Sequence, residues 1–390
     1  MFGFHVNREW AARGAGSRPP IKAQVEAARA RFESLLAGAA RCATAQDAGF
    51  AFQIFLAGPR SMKFSVSVSE AHSLRDYVRA SNRLGAPLWG VAHGTYFDTP
   101  WDTSKDNYLW KTKFIKQEVK RAASAGLAGL VIHLGTPPPE QVLQTLPWLI
   151  PDDHMRRPKP GEEARVVVAA GGVDTLAADP EADAEDQELE HWGCFIKSDS
   201  VRQRDARSAS GGRLNPECVR LFLEVPHVLP KNSHYETPAK LCALFRQIRE
   251  KVDPNLCYFG LCIDTAHVWA CGADIASFEG ASQWLAELEA CHDVIPPRAI
   301  VFHLNDNRHG RGSGLDEHDP LLMGAIWGDY AQCPEKSGLA AFLDYARRYC
   351  IPTILERKER KAGNELSDQV LSAPEAIAAD LGVLEAMAHF

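Results

Sequence analysis

Residues Tyr258–Asp274 read YFGLCIDTAHVWACGAD. The first seven form a nearly unbroken apolar run that closes on a carboxylate. A strand with one wet face alternates polar and apolar residues. A continuous short run predicts instead a strand buried on both faces of a parallel sheet. Working outward, similar runs recur at Gly3–Val6, Phe52–Leu56, Leu88–Ala92, Gly129–His133, Arg220–Val225, Ala299–Leu304 and Pro352–Glu356. Amphipathic patterns lie between them. Ile21, Val25, Phe32, Leu35 and Leu36 share one helical face. Leu74, Tyr77 and Val78 share another, with Ser69 as the expected N-cap. Further helices are predicted over Ser104–Ala125, Glu140–Leu149, Thr237–Val252, Asp274–Cys291, Ser337–Cys350 and Pro374–His389. Eight strands alternating with eight helices predict an α/β fold, a (β/α)8 TIM barrel. An open doubly wound sheet also alternates, but no Gly-rich phosphate loop follows the first strand here.

The chain has 390 residues, 45% hydrophobic and 24% charged, a globular composition. Its formal net charge of −7 argues against a protein held to nucleic acid by a generic basic surface. No apolar run reaches the roughly 18–20 residues of a membrane span. The N-terminus, MFGFHVNREWAARG, lacks the apolar core of a signal peptide. The expected location is therefore intracellular, cytoplasmic or nuclear, with a virion equally compatible. Ten cysteines without a CxxC pair read as reduced, mostly buried thiols.

One single-domain barrel is expected over residues 1–390, interrupted at 140–215 by an insertion between strands four and five. Asp174–His191 carries eight acids in eighteen positions. Arg156, Arg157 and Lys159 precede it, and Arg202, Arg204, Arg207 and Arg213 follow. This composition reads as a solvated, partly disordered insertion, or alternatively as a lid or partner-binding element.

In such a barrel the chemistry sits at the C-terminal ends of the strands. Strand three ends before His93 and strand four ends at His133. Strand five holds Glu224. Strand six delivers Asp264 and then His267. Strand seven gives His303 and then Asp306, and its loop holds Asp316 and His318. Strand eight ends at Glu356. Singly, each could be a hydrogen-bonded structural residue or a helix cap. Together, successive strands or their loops present His, Asp or Glu at one end. Unneutralised, that carboxylate cluster would cost several kcal/mol in repulsion and desolvation. A divalent metal offsets this, and imidazole with carboxylate suits Zn, Mn or Fe.

These residues resemble the endonuclease IV family, trinuclear-zinc apurinic/apyrimidinic endonucleases with a (β/α)8 fold. Gly260–Asp274 is similar to the family's Asp-Thr-x-His motif. FHLNDNRHGRGSGLDEHDPL (Phe302–Leu321) is similar to its His-Leu-Asn-Asp segment followed by Asp-x-His. VIHLGT (Val131–Thr136), FQIFLAGPR (Phe52–Arg60), VAHGTY (Val91–Tyr96) and ILE (Ile354–Glu356) match in the same order. The resemblance implies three Zn2+ per chain, with Mn2+ or Fe chemically allowed. His93 and His133 would hold the first ion, and the catalytic Glu224 would bridge it to the second. Asp264, His303 and Glu356 would complete the second, and His267, Asp316 and His318 would hold the third. It also implies a monomer acting on double-stranded DNA, with hydrolysis of the phosphodiester 5′ to an abasic site and a 3′-hydroxyl product. Arg60 and Tyr96, with Phe97 beside them, align with residues that enter the duplex. Three divalent ions would bring the net charge to about −1.

The chain departs from the family around the ligands. Gly94 replaces an acid, and Leu134-Gly135-Thr136-Pro137 replaces Pro-Gly-Ser-His. Glu224-Val225-Pro226-His227-Val228 replaces Glu-Asn-Thr-Ala-Gly-Gln. Glu317 replaces an Arg, and Met323-Gly324 stands for Gly-Glu-Gly. Two alternatives therefore stand beside the endonuclease. One is a metal-dependent sugar isomerase or epimerase, against which the Asp316-x-His318 pair argues. The other is a barrel repurposed for binding or structure, with weak or no catalysis.

Overall fold

The computed structural model describes residues 1–6, 19–38, 49–58, 63–84, 87–96, 100–101, 108–149, 219–228, 234–357 and 373–387. Eight parallel strands close a barrel: β1 (Phe2–His5), β2 (Phe50–Phe55), β3 (Leu88–His93), β4 (Gly129–His133), β5 (Arg220–Glu224), β6 (Phe259–Asp264), β7 (Ile300–His303) and β10 (Thr353–Leu355). Two further strands, β8 (Asp306–Asn307) and β9 (His318–Asp319), pair antiparallel outside the barrel. The surrounding helices are α1 (Ile21–Gly38), α2 (Val68–Arg83), α3 (Tyr108–Ser124), α4 (Pro139–Leu149), α5 (Pro238–Lys251), α7 (Phe278–Glu289), α8 (Gly338–Tyr349) and α9 (Ala373–Met387). A short α6 (Thr265–Ala270) follows β6 directly. It was not expected from the sequence, because six residues give too little periodicity.

The (β/α)8 expectation is met, with small shifts at the ends of elements. The N-cap of α2 is Ser67, not Ser69. Ser67 Oγ accepts from the Glu70 backbone N at 3.2 Å, and the Glu70 side chain accepts from the Ser67 backbone N at 3.0 Å. That reciprocal pair needs Glu three residues after the cap, a spacing Ser69 lacks. Residues 139–149, partly assigned to the insertion, form helix α4. The rest of 140–215, with the Asp174–His191 acidic run, lies outside the described residues. So do Arg60 and Phe97.

Two apolar layers hold the barrel. The larger lies between strands and helices. The smaller fills the barrel interior and contains Ala51, Trp89, Val91, Val131, Phe222, Cys262, Val301 and Ile354. Glycine makes room for Phe222: a Cβ on Gly260 would stand 2.6 Å from its ring. Successive strand residues point to opposite faces. The residue two beyond each inward apolar side chain is therefore also inward, one layer higher. Val91, Val131, Phe222, Cys262, Val301 and Ile354 thus predict His93, His133, Glu224, Asp264, His303 and Glu356 at the barrel mouth. Strand register levels them, pairing His133 with Glu224 and Asp264 with His303.

Candidate metal centre

Glu224 is the hub of this layer and is almost fully buried. Its Oε2 lies 3.3 Å from His93 Nε2 and 3.0 Å from His133 Nε2. Its Oε1 lies 2.7 Å from His303 Nδ1. That same nitrogen is 3.3 Å from Glu356 Oε2 and 3.8 Å from Asp264 Oδ2. Asp264 Oδ2 also approaches His318 Nε2 at 3.6 Å. Asp316 reaches His318 Nε2 at 2.8 Å through Oδ1 and His267 Nε2 at 3.5 Å through Oδ2. Among the described residues four sets have potential ligand atoms within 4.8 Å of one another, and three of them are built from His, Asp and Glu alone: His93, His133 and Glu224; Glu224, Asp264, His303 and Glu356; Asp264, His267 and His318. Asp316 joins the third through its two histidines. All nine candidates therefore converge.

Three of the five rings are oriented from behind. His93 Nδ1 lies 2.8 Å from the Gly94 carbonyl, and His267 Nδ1 lies 2.7 Å from the Val225 carbonyl. A carbonyl only accepts, so these nitrogens carry the proton and the opposite Nε2 atoms are free to ligate. His303 is turned the other way. Its Nε2 faces Gln53 Oε1 at 2.9 Å, leaving Nδ1 toward the carboxylates. Such outer acceptors are how ligand tautomers are fixed.

Electrostatics fit the same reading. Burial favours neutral carboxyls, yet His133 and His303 hold Glu224 well below the usual carboxylate range. Burial favours a neutral His93, but Glu224 raises it to about 9. Burial, with Asp316 and Glu356 adding to it, raises Asp264 despite His267 and His318. The donor set therefore fits divalent cations. A second observation agrees: Asp316 Oδ1 and His318 Nε2 are buried 2.8 Å apart, an ion pair without the angle of a good hydrogen bond. Both are left facing shared space, as ligands of one ion would be.

Several neighbours escaped a search limited to His, Asp and Glu at strand ends. Gln53 stands two residues beyond the inward Ala51 and also donates to Glu356. It is a polar residue where the period demands an inward one, a signal present in the sequence. His5 Nδ1 lies 3.2 Å from Gln53 Nε2, and burial lowers His5 to about 4. Asn305 Nδ2 donates to Asp264 Oδ2 at 2.8 Å. Cys262 Sγ lies among ligand atoms of Glu224 and His303, but burial, then Glu224, pushes its thiol well above its usual range. Asp306 turns away from the cluster. Its carboxylate accepts from the backbone N of Asn307, Gly324 and Ile326, and so organises the loop.

At the rim, Tyr96 is 53% exposed and stacks on His133 with centroids 5.5 Å apart and planes 7° apart. Glu317, which stands in place of an Arg, is answered across the β8–β9 hairpin. Arg308 Nη1 lies 2.7 Å from its Oε1, and His309 Nε2 lies 3.1 Å from its Oε2.

A closed parallel barrel with a buried histidine–carboxylate cluster able to hold divalent ions at its strand C-termini defines the class, a (β/α)8 enzyme of the metal-dependent kind. No family model matches the chain. Across 315 residues, 80% of this chain and 81% of the other, it is 33% identical to "Probable AP endonuclease" of African swine fever virus (isolate Warthog/Namibia/Wart80/1980). The solved structure described as "The crystal structure of AsfvAP:AG" is 28% identical and superposes with a TM-score of 0.69, covering 100% of this chain and 99% of that one. Endonuclease IV from Thermus thermophilus shares the fold, with 21% identity, a TM-score of 0.53 and coverage of 100% and 98%. The chain belongs to the endonuclease IV family of AP endonucleases.

Proposed function

We propose that this chain is a DNA repair endonuclease that hydrolyses the phosphodiester 5′ to an abasic site in double-stranded DNA through a three-zinc centre. The observation that carries the reading is the third ligand set. Asp316 and His318 are brought from a loop against His267 and Asp264, with buried atoms facing one another. A one- or two-metal sugar isomerase has no need of that set. Ions held by the three sets would polarise the phosphoryl oxygens and lower the pKa of a bound water.

The chain's own groups do the rest. Glu224 spans the first two sets, and its negative charge helps to fix their ions. Gln53 and the carbonyls of Gly94 and Val225 hold the imidazoles in their ligating tautomers. Tyr96 offers an exposed aromatic face at the rim, where it can lie against an unstacked duplex, as recognition of an extruded nucleotide requires. Arg60 and Phe97 are proposed to act beside it. Water adds at phosphorus and the bond to the preceding 3′-oxygen breaks. The products are a 3′-hydroxyl and a 5′-phosphate on the abasic residue.

The test is incubation of the purified chain, with its metal content measured, with a duplex carrying one tetrahydrofuran abasic mimic. About three zinc ions per chain and a nick on the 5′ side are expected. Three ions without a nick would overturn the catalytic reading, and fewer ions would overturn the three-zinc centre.

A further inference from the structure

One buried carboxylate outside the cluster touches two of the segments that carry it. Asp380, in α9, is fully buried. Its Oδ1 accepts from the backbone N of Leu321 at 2.6 Å, three residues beyond His318. Its Oδ2 lies 2.6 Å from Nη2 of Arg357, the residue after Glu356. Nη1 of that guanidinium donates to Asn305 Oδ1 at 2.9 Å and to the Glu356 carbonyl at 2.6 Å. Asn305 Nδ2 then donates to Asp264 Oδ2 at 2.8 Å and Glu356 Oε2 at 3.4 Å.

We propose that Asp380 is a positioning residue for the second and third ligand sets, joining the C-terminal helix to the metal centre through Arg357 and Asn305. The inference rests on reading Asp264, Glu356, Asp316 and His318 as metal ligands. A buried ion pair is weak evidence for stability, because desolvation offsets much of the attraction. Its consequence here is directional. Arg357, together with the Glu356 backbone N at 3.0 Å, donates to the Asn305 carbonyl oxygen, so the amide NH2 faces the two carboxylates. Those N–H groups fix Asp264 Oδ2 and Glu356 Oε2, the oxygens that face His303 and His318. The other oxygen of Asp380 anchors the chain just after Asp316 and His318. No corresponding link from α9 reaches His93 or His133 among the described residues, so the first set is independent of it.

Zinc release from the full-length chain to a chromophoric chelator tests this. The fraction missing in His93→Ala identifies ions of the first set. In Asp380→Asn, release from the other two sets should be roughly 10–100-fold faster, the range of an outer-ligand partner. First-set release should be unchanged, and Asp380→Glu should recover much of the loss. Equal acceleration of all three fractions, or none, would overturn the proposal. If Asp380→Asn does not fold, Arg357→Lys gives the same selective readout, since it keeps the charge and loses the two-sided grip. A wild-type chain that binds no zinc would overturn the metal-centre reading itself, a separate outcome.

Discussion

The strand-borne and loop-borne halves of the centre are built differently. His93, His133, Glu224, Asp264 and His303 stand on barrel strands, directly above an apolar layer that fixes their direction. Asp316 and His318 stand on the excursion between β7 and α8, where the only strand pairing is the two-residue β8–β9 ladder. Their positions depend on side chains that pin the loop: Asp306 on the loop backbone and Arg308 on Glu317 and Asp319 from within it, and Asp380 on Leu321 from α9. The difference teaches that a rigid strand end needs only its tautomer set, whereas a loop ligand needs its backbone held.

The largest expected effect would break the strand-borne half. Glu224→Gln removes a charge shared by two sets. Metal loading and nicking should fall by more than the roughly 10–100-fold that outer partners are worth. Metal analysis and the tetrahydrofuran duplex assay measure both. His267→Ala should remove about one ion and most cleavage, while His93 and His133 keep theirs. Unchanged stoichiometry and rate would sink the third set. Gln53→Ala frees the His303 ring and should cost about 10–100-fold in zinc affinity or activity, read by chelator competition.

Stability against pH sharpens the comparison further. His93 has a folded pKa of about 9, raised above its ordinary 6.5. In metal-free protein its contribution is complete below pH 6.5 and is lost as pH rises through about 9. The melting temperature of the chelated protein should therefore fall across that interval. The zinc-loaded protein should not follow it, because zinc replaces the proton. The smallest effect lies outside the centre. Ser67→Ala should cost about 1 kcal/mol in denaturant unfolding and leave zinc content unchanged.

Much of the site was legible because a strand's period of two is local physics. Short apolar runs mark the strand ends, His93, His133, Glu224, Asp264, His303 and Glu356 are the polar residues there, and alternation turns them to the inner face. Gln53 obeyed the same rule and was missed only because amides were not sought. Asn305 and Asp380 left no such signal. Asn305 gains its role from facing two carboxylates and a guanidinium at once, and Asp380 is one of three acids in its helix, with Glu375 and Glu385. Glu317 showed in the sequence only as an acid in place of an Arg, because its partner Arg308 lies across a hairpin that no local pattern announced.

The sequence by itself determined the alternating elements, the barrel and the residues at the strand ends. Hydrophobic periodicity and residue chemistry are properties of short segments. Only the tertiary structure decided which nitrogen of each histidine faces the cluster, that Asp306 turns away, and that α9 reaches the centre. Those choices rest on hydrogen bonds between groups up to 250 positions apart, such as Gln53 and His303. Such contacts exist only after the barrel has closed.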